Sequence, residues 1–429
     1  MFKQSFLLIS SDIISKIVLF LFQIVLARQL GPESFGTYAI VITFSAMFIV
    51  FSNYGLDVLV ARDIANAKEN SSKYLKNLLL LKIPISAITI FAMFAVAILS
   101  GYSSDVVIFM VFASISTISL SYNRLFFGFF RAYGILRYEA FITTVDRGVS
   151  SFLGIGLVVT GFGLMSIFFS ASVISIGSAW ISYYILKNQF ISSPHHSFEL
   201  QFVKKIAKEA APLLLLAIFS VIYFQIDVII LSFMKGDEAV GLYSSVMRLL
   251  SLFQFIPGAV VGVLLPLMSQ HFMNKDKRLV NSLRKGSLYM AILGISAASF
   301  IFLFANQLVE VFYSNKFLGA VPALKILILS LPFYLVNPIL GNFLIACNSQ
   351  KLPVFSVAIT SLINIVFNII LIPKYSFTGA AVSKFISEIF LFLIQGYFSI
   401  ALLSSIGIVG EKPLSSHFYQ SVAKKETSL

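Results

Sequence analysis

The chain has little charge and a single cysteine, and each shortage excludes a class of protein. Asp, Glu, Lys and Arg make up 11% of its 429 residues, whereas 58% of the residues are apolar. A soluble domain needs a more charged surface than this. Cys347 has no second cysteine with which to form a disulfide bond, and no histidine stands at zinc-ligand spacing from it. We therefore expect an integral membrane protein that holds no metal and no cofactor.

Long apolar runs fill the sequence and predict an all-α membrane fold. A window of about 19 residues, the length that crosses a bilayer as a helix, finds about twelve such runs. The predicted spans are residues 9–30, 36–61, 77–100, 104–124, 139–160, 163–186, 211–234, 241–266, 284–306, 321–346, 353–373 and 377–402. The first run lacks a signal-peptidase cleavage site, so we expect it to be retained. Prolines predict bends in the eighth span at Pro257 and Pro266 and in the tenth at Pro332 and Pro338.

Basic residues in the loops predict the orientation of these spans. Most loop Lys and Arg residues fall in the segments that share one side with the N-terminus, and only Arg28, Lys235, Lys316 and Lys374 fall on the other side. Because positively charged loops stay in the cytoplasm, both termini are predicted to be cytoplasmic. The net charge of +13 then reflects topology and not a nucleic-acid partner, although the basic loops could also dock on anionic lipid.

A short repeat divides the chain into two halves. Residues 31–38 recur at 236–243, with Gly, Glu, Gly and Tyr at identical spacing, and each copy links the first two spans of its half. Its first glycine permits a left-handed backbone, and its second permits close helix approach. We expect two pseudo-symmetric six-helix lobes around a central cavity, related as a parallel repeat. The predicted parts are an N-terminal lobe at 1–186, a cytoplasmic linker at 187–210, a C-terminal lobe at 211–402 and a cytoplasmic tail at 403–429.

The linker carries an amphipathic segment. Leu200, Val203, Ile206 and Ala207 recur at helical spacing within residues 199–209. This pattern predicts a short helix that lies in the membrane interface.

Charged residues inside the spans are the candidate functional residues, since each costs about 2.5–3.5 kcal/mol at the centre of a lipid-facing helix. The cations would bind an anionic headgroup, because Arg and Lys donate charge-assisted hydrogen bonds to phosphate oxygens. These substrate-binding candidates are Lys16, Arg147, Arg248 and Lys384. The acids could bind a cation, and the candidates for that role are Asp57, Asp146, Asp227 and Glu388.

Pairing between helical neighbours is the alternative interpretation of several of these charges. Asp12 with Lys16, and Lys384 with Glu388, are i,i+4 neighbours that could neutralise each other without any ligand. Each pair would then need no transported substrate to explain it.

Two further pairs of candidates differ in whether their members can pair with each other. Asp146 and Arg147 are adjacent and point about 100° apart, so at least one of them needs a partner on another helix. Asp227 and Arg248 lie at the same predicted depth on antiparallel helices, which favours an interhelical ion pair.

Snorkelling would explain charges near a predicted span end. Asp57, Lys82 and Lys325 lie about one helical turn inside such an end. Their side chains could reach the interface without any partner inside the protein.

Asn and Gln residues in the spans more often hydrogen-bond neighbouring helices than bind sugars.

The repeat and its flanks resemble a known family. Residues 26–38, followed by residues 54–57 and Arg62, resemble the start of bacterial polysaccharide repeat-unit flippases of the O-antigen type, and residues 240–249 resemble their second-lobe signature. These flippases belong to the multidrug/oligosaccharidyl-lipid/polysaccharide exporter superfamily. The resemblance implies a cationic cavity and movement of undecaprenyl-pyrophosphate-linked oligosaccharide across the bacterial inner membrane during lipopolysaccharide or related surface polysaccharide biosynthesis. It also implies alternating access coupled to a cation gradient, and polymerase and chain-length proteins as partners beside membrane lipids.

Other functions fit parts of the same pattern. Drug and toxin antiporters of this superfamily share the fold but favour acidic cavities, and its peptidoglycan-precursor flippases usually carry two further spans. A membrane enzyme acting on the same sugar lipids needs acids or bases gathered on an outer loop. The longest predicted outer loop, residues 306–320, offers only Glu310 and Lys316, and nucleophile and phosphate-loop motifs are missing. We therefore expect a transporter and not an enzyme.

Overall fold

The computed structural model describes residues 2–190 and 198–405, and within those ranges it contains helices and no β-strand. The helices are α1 (Phe2–Asn53), α2 (Leu56–Asn66), α3 (Ser71–Leu99), α4 (Ser104–Ala132), α5 (Leu136–Val159), α6 (Leu164–Phe190), α7 (Leu200–Ser251), α8 (Phe255–Met273), α9 (Arg278–Leu303), α10 (Ala305–Tyr313), α11 (Val321–Ile328), α12 (Leu331–Ala346) and α13 (Lys351–Ser405). Short 3-10 turns occupy Lys68–Asn70, Leu252–Gln254 and Asn315–Ala320. Residues 191–197 of the predicted linker and most of the predicted tail lie outside the described residues.

The long helices account for the predicted spans. In the described ranges, eight helical stretches are long and apolar enough to cross a membrane, and residues 315–328 with 331–346 form one more, bent by 44°. The stretch at 10–66 and helix α13 each hold two crossings, divided at Gly31 and Ser376, and the stretch at 200–273 holds two, divided at Gly236. Counting each divided stretch as two gives twelve candidate spans within the described ranges, and the predicted all-α membrane fold is confirmed.

The described chain forms two compact units. The first holds residues 2–248, 306–322 and 368–380, and the second holds 249–305, 323–367 and 381–405. The division into lobes at 1–186 and 211–402 stays a prediction.

The core of the first unit lies at the end where α2 and α4 finish. Phe126, Phe129 and Phe130 of α4 are buried there in one cluster with side chains of α2, α3 and α7. Because this aromatic run continues the helix, α4 extends to Ala132, eight residues beyond the predicted end of the fourth span. Arg124, which the sequence places at the start of a cytoplasmic loop, therefore lies inside the helix.

The predicted interfacial helix is wrong, because its residues are the first turns of α7. Helix α7 begins at Leu200 and continues through Pro212. Val203 and Ile206 are buried, with Ile206 in the core cluster of the first unit. The Glu199 carboxylate accepts a hydrogen bond from Lys73 at 2.7 Å, and a Glu209 carboxylate oxygen lies 3.0 Å from Arg62. Val203 and Ile206 of the apolar stripe thus pack on protein, whereas Leu200 is exposed.

Two of the four prolines at which the sequence predicts bends lie at breaks in the helices of the second unit, whereas α8 and α12 continue through Pro266 and Pro338. Pro332 stands at the start of α12 and lacks the N–H that would continue α11, so the tenth span is interrupted after Ile328. A Cβ atom built at Gly294 of α9 would lie 2.6 Å from the Pro332 Cα, so glycine lets α9 pass close to this break. The 3-10 turn at Leu252–Gln254 likewise precedes Pro257.

Candidate substrate site

The two repeated turns share one backbone conformation. Gly31 has φ 79° and ψ 179°, and Gly236 has φ 78° and ψ −174°. A side chain strains the backbone at such a positive φ, so glycine is the residue that fits both positions. The repeat in the sequence therefore corresponds to a structural repeat.

These turns also pack against each other within the first unit. A methyl group built at Gly36 would collide with the carbonyl oxygen of Asp237, and one built at Gly241 would collide with that of Pro32. The Thr37 hydroxyl donates to the Asp237 carboxylate across the same contact. The second glycine of each copy is thus required by the backbone of the other copy.

The two tyrosines of the repeat, Tyr38 and Tyr243, form hydrogen bonds with different polar side chains. Tyr243 donates a 2.8 Å hydrogen bond to the buried Asp227 carboxylate, whose second oxygen accepts from Asn368 at 2.9 Å. Tyr38 is hydrogen-bonded to Gln23, and its hydroxyl interacts electrostatically with Arg248. The Asp227–Arg248 ion pair stays a prediction, and the partners of Asp227 found here are both neutral.

Asp12 joins two of the four candidate cations. Its carboxylate lies 2.8 Å from Lys16 on the same helix, which confirms the predicted i,i+4 pair, and 3.1 Å from Arg147 of α5. All three side chains remain 37% to 45% exposed. Asp146, the neighbour of Arg147, accepts a 2.6 Å hydrogen bond from Ser178 of α6. Both adjacent charges thus find partners on other helices, as their spacing requires.

Asp57 lies in a second charged group of the first unit. It stands in the first turn of α2 and accepts a 2.8 Å hydrogen bond from Asn53. Arg131 lies 3.8 Å from it and also pairs with Glu139 through two hydrogen bonds, the longer of 2.9 Å. Only 14% of the Asp57 side chain is exposed, so the snorkelling interpretation of this residue is wrong.

The snorkelling interpretation of Lys82 is also wrong. It is fully buried, and its ammonium group donates to the Ser52 carbonyl oxygen at 3.0 Å and to the Ser121 hydroxyl at 2.5 Å. The Tyr122 ring lies 5.3 Å from the same nitrogen. Because α3 begins at Ser71, this lysine stands eleven residues inside the helix and not near its end.

Arg124 connects these groups electrostatically. Its guanidinium interacts with Asp57 and with two like charges, Arg147 and Arg131. All of them lie at the end of the first unit where α1 begins, which is the predicted cytoplasmic end. We call this set the inner charged cluster, and its members are Asp12, Lys16, Asp57, Arg124, Arg131, Glu139 and Arg147.

The remaining candidates, Lys384 and Glu388, lie in the second unit. Their side chains are buried and 3.8 Å apart, which confirms the second predicted i,i+4 pair. Asn337 donates a 2.8 Å hydrogen bond to the Glu388 carboxylate, and Asn364 donates a 3.1 Å hydrogen bond to Ser387. Three of the four candidate cations thus have a carboxylate beside them.

Sequence reasoning missed three members of the inner charged cluster. Arg124, Arg131 and Glu139 all lie where predicted span ends fall short of the observed helices. The apolar residues that continue beyond Arg124 were the available signal. Across residues 2–190 and 198–405, no three His, Cys, Asp or Glu side chains lie together as metal ligands.

The fold and the site define a class of protein. It is an all-α membrane protein with an internal repeat, and its predicted spans contain a partly neutralised cluster of cations. Residues 1–272 match the family described as polysaccharide biosynthesis protein, and residues 212–370 match the MatE family. The first match covers more than half of the chain. The protein therefore belongs to the polysaccharide biosynthesis protein family, within the multidrug/oligosaccharidyl-lipid/polysaccharide exporter superfamily.

Individual relatives extend this result. The chain is 22% identical to the capsular polysaccharide biosynthesis protein CapF of Staphylococcus aureus, over 90% of this chain and 96% of CapF. It is 26% identical to the probable low-salt glycan biosynthesis flippase Agl15 of Haloferax volcanii, over 38% of this chain and 35% of Agl15. The fold is similar to that of the lipid II flippase MurJ in an inward closed conformation, with a TM-score of 0.77, 17% identity and coverage of 99% of this chain and 96% of MurJ.

Proposed function

We propose that this protein is a flippase that moves undecaprenyl-pyrophosphate-linked oligosaccharide repeat units from the cytoplasmic to the outer leaflet of the bacterial inner membrane. The repeat units belong to O-antigen or a related surface polysaccharide. Membership in the polysaccharide biosynthesis family and similarity to Agl15 and CapF support a lipid-linked sugar as the substrate. The MurJ-like fold supports transport and not catalysis.

The observation that carries this proposal is the pair of cations on Asp12. Lys16 and Arg147 share one carboxylate, so this group keeps a net positive charge inside apolar spans. Such a charge is costly unless it serves a substrate or faces water. Arg and Lys bind phosphate oxygens through charge-assisted hydrogen bonds, which matches the pyrophosphate of a sugar lipid.

The transport cycle follows alternating access, driven by a proton or sodium gradient. Asp57, Asp146, Asp227 and Glu388 are the candidates for binding the coupling ion. Both termini lie in the cytoplasm, and the polymerase and chain-length proteins of the pathway receive the flipped units. Arg248 and Lys384 serve the later, outer part of the path.

A deletion strain tests this proposal. Loss of the gene should cause lipid-linked repeat units to accumulate in the inner leaflet, and wild-type protein should restore surface polysaccharide. Arg147→Gln should fail to restore it while inserting normally, because it removes one of the two cations on Asp12. Arg137→Gln is the matched control, since Arg137 is exposed in the first turn of α5 and contacts Tyr138 instead.

A drug or toxin antiporter is the second candidate. The MatE match over residues 212–370 favours it, as do the buried carboxylates of Asp227 and Glu388, which suit cationic cargo. The same deletion strain separates the two functions. Raised drug sensitivity with normal polysaccharide would reject the flippase and support the antiporter.

A further inference from the structure

Arg124 differs from the other cations of the inner charged cluster in its hydrogen bonds and ion pairs. The two cations on Asp12 and the Arg131 guanidinium on Glu139 each have a carboxylate within 3.1 Å. Arg124, in contrast, makes no hydrogen bond or ion pair to any other residue within the described ranges, although it lies inside helix α4. A guanidinium has five N–H donors, and those of Arg124 are therefore left for a ligand or water.

The surroundings of Arg124 increase this positive charge. Arg147 and Arg131 both repel it, and Asp57 is the single carboxylate that interacts with it. That carboxylate is shared, because Arg131 lies 3.8 Å from it and Asn53 donates to it. The buried Lys82 also interacts with both Asp57 and Arg124. An anion placed at Arg124 would therefore relieve repulsion among several cations at once.

Close helix packing fixes the position of Arg124. Gly128, one turn further along α4, faces the backbone of Asp57, and a Cβ atom built at Gly128 would lie 2.6 Å from the Asp57 carbonyl oxygen. This contact holds α4 against the start of α2, so Arg124 is held beside Asp57. The Arg124 side chain nevertheless remains exposed, which leaves its donors accessible.

The depth of Arg124 indicates which anion it receives. It stands eight residues before the end of α4 at Ala132, or about 12 Å along the helix axis. Arg124 is also the last residue of the predicted fourth span, at its predicted cytoplasmic end, which is the level at which the headgroup of an inner-leaflet lipid would lie. A planar guanidinium binds the oxygens of a phosphate or pyrophosphate in a bidentate manner, which a lysine does not.

We propose that Arg124 is a substrate-binding residue that contacts the phosphate groups of the lipid-linked sugar at the predicted cytoplasmic end of the first unit. This inference rests on the proposed function, because it assumes a lipid-linked phosphate as cargo. Lys16 and Arg147 would then hold the same headgroup more weakly, since each already shares Asp12.

Binding to the purified full-length protein in nanodiscs tests the role of Arg124. The probes are undecaprenyl pyrophosphate, the uncharged lipid undecaprenol and inorganic pyrophosphate. We expect Arg124→Gln to weaken binding of undecaprenyl pyrophosphate by about tenfold or more, because hydrogen bonds to charged groups contribute about 1.5–3 kcal/mol each. Arg124→Lys should recover part of the affinity, since it restores the charge without the bidentate geometry. The control variant Arg137→Gln should bind as the wild-type protein does.

A second variant distinguishes a lost binding contact from misfolding of Arg124→Gln. Asp57→Asn removes the carboxylate beside Arg124 and should tighten binding of the charged lipid, and this gain should be lost when Arg124→Gln is added, because Arg131 and Lys82, which also interact with Asp57, are unchanged in both variants. Wild-type affinity in Arg124→Gln, or no gain in Asp57→Asn, would overturn the role of Arg124 while leaving the flippase proposal intact. Equal binding of undecaprenol and undecaprenyl pyrophosphate by the wild-type protein would instead refute an anionic lipid as substrate. Equally tight, Arg124-dependent binding of inorganic pyrophosphate would overturn the lipid as the source of the phosphate.

Discussion

Replacing Gly36 or Gly241 with alanine tests the contact between the two repeated turns. Each added methyl group would meet a backbone carbonyl oxygen of the opposite turn, and backbone cannot rotate away as a side chain can. Overpacking of this kind costs about 1–3 kcal/mol. Alanine recovers about 0.5–1 kcal/mol through its higher helix propensity. The net loss of stability is then about 0–2.5 kcal/mol, and we expect the upper half of this range because the built Cβ atoms would overlap the backbone carbonyl oxygens of Asp237 and Pro32.

Thermal unfolding in detergent measures this loss. Gly36→Ala and Gly241→Ala should each lower the apparent unfolding temperature. The double variant should lose less than the two single losses together, because both methyl groups separate the same pair of helices. Gly156→Ala is the matched control: Gly156 lies inside α5 with nothing within 4 Å of a built Cβ, so alanine should stabilise it. If the two turn variants are stabilised as the control is, the turns do not touch and the reasoning fails.

Three further predictions concern a buried lysine, the buried cysteine and the topology. Lys82→Met should destabilise the protein because it leaves the Ser52 carbonyl and the Ser121 hydroxyl without their donor, whereas Met at the exposed Lys76 should have little effect; equal unfolding temperatures would contradict this assignment. Burial raises the pKa of the Cys347 thiol to about 12, so the native chain should react slowly with maleimide at pH 7 and faster as the pH rises. In a Cys347→Ser background, Lys316→Cys should react with an impermeant maleimide from outside the cell and Lys277→Cys only after permeabilisation, and the reverse pattern would invert the predicted topology.

Local sequence patterns predicted the local structure well. The glycine spacing at Gly31 and Gly236 identified both links, because few residues other than glycine adopt that backbone. Pro332 identified the break in the tenth span for the same kind of reason. The Asp12–Lys16 pair was predicted because residues four apart always meet on a helix. In each case the chemistry of a few adjacent residues determines the outcome.

Contacts between distant parts of the chain could not be predicted in this way. Arg147 is 135 residues from Asp12, and no spacing rule connects them. The apolar stripe at Val203 and Ile206 shows that something covers it, but not whether that is lipid or protein. Arg124 was missed because a hydropathy window ends a span at a charge, while the helix itself continues through the buried phenylalanines that follow.

The partial neutralisation of the inner charged cluster fits the requirements of transport better than unpaired cations would. A group of unpaired cations inside apolar helices would be costly and would hold a pyrophosphate too tightly to release it. Asp12, Asp57 and Glu139 each take up part of the positive charge, and Arg124 keeps its donors accessible. Under the proposed function, a substrate anion would compete with carboxylates already in place, so its binding energy would be reduced and its departure made easier. The carboxylate that makes Lys16 and Arg147 look structural is, on this argument, what would allow cations at this end of the protein to bind a phosphate reversibly.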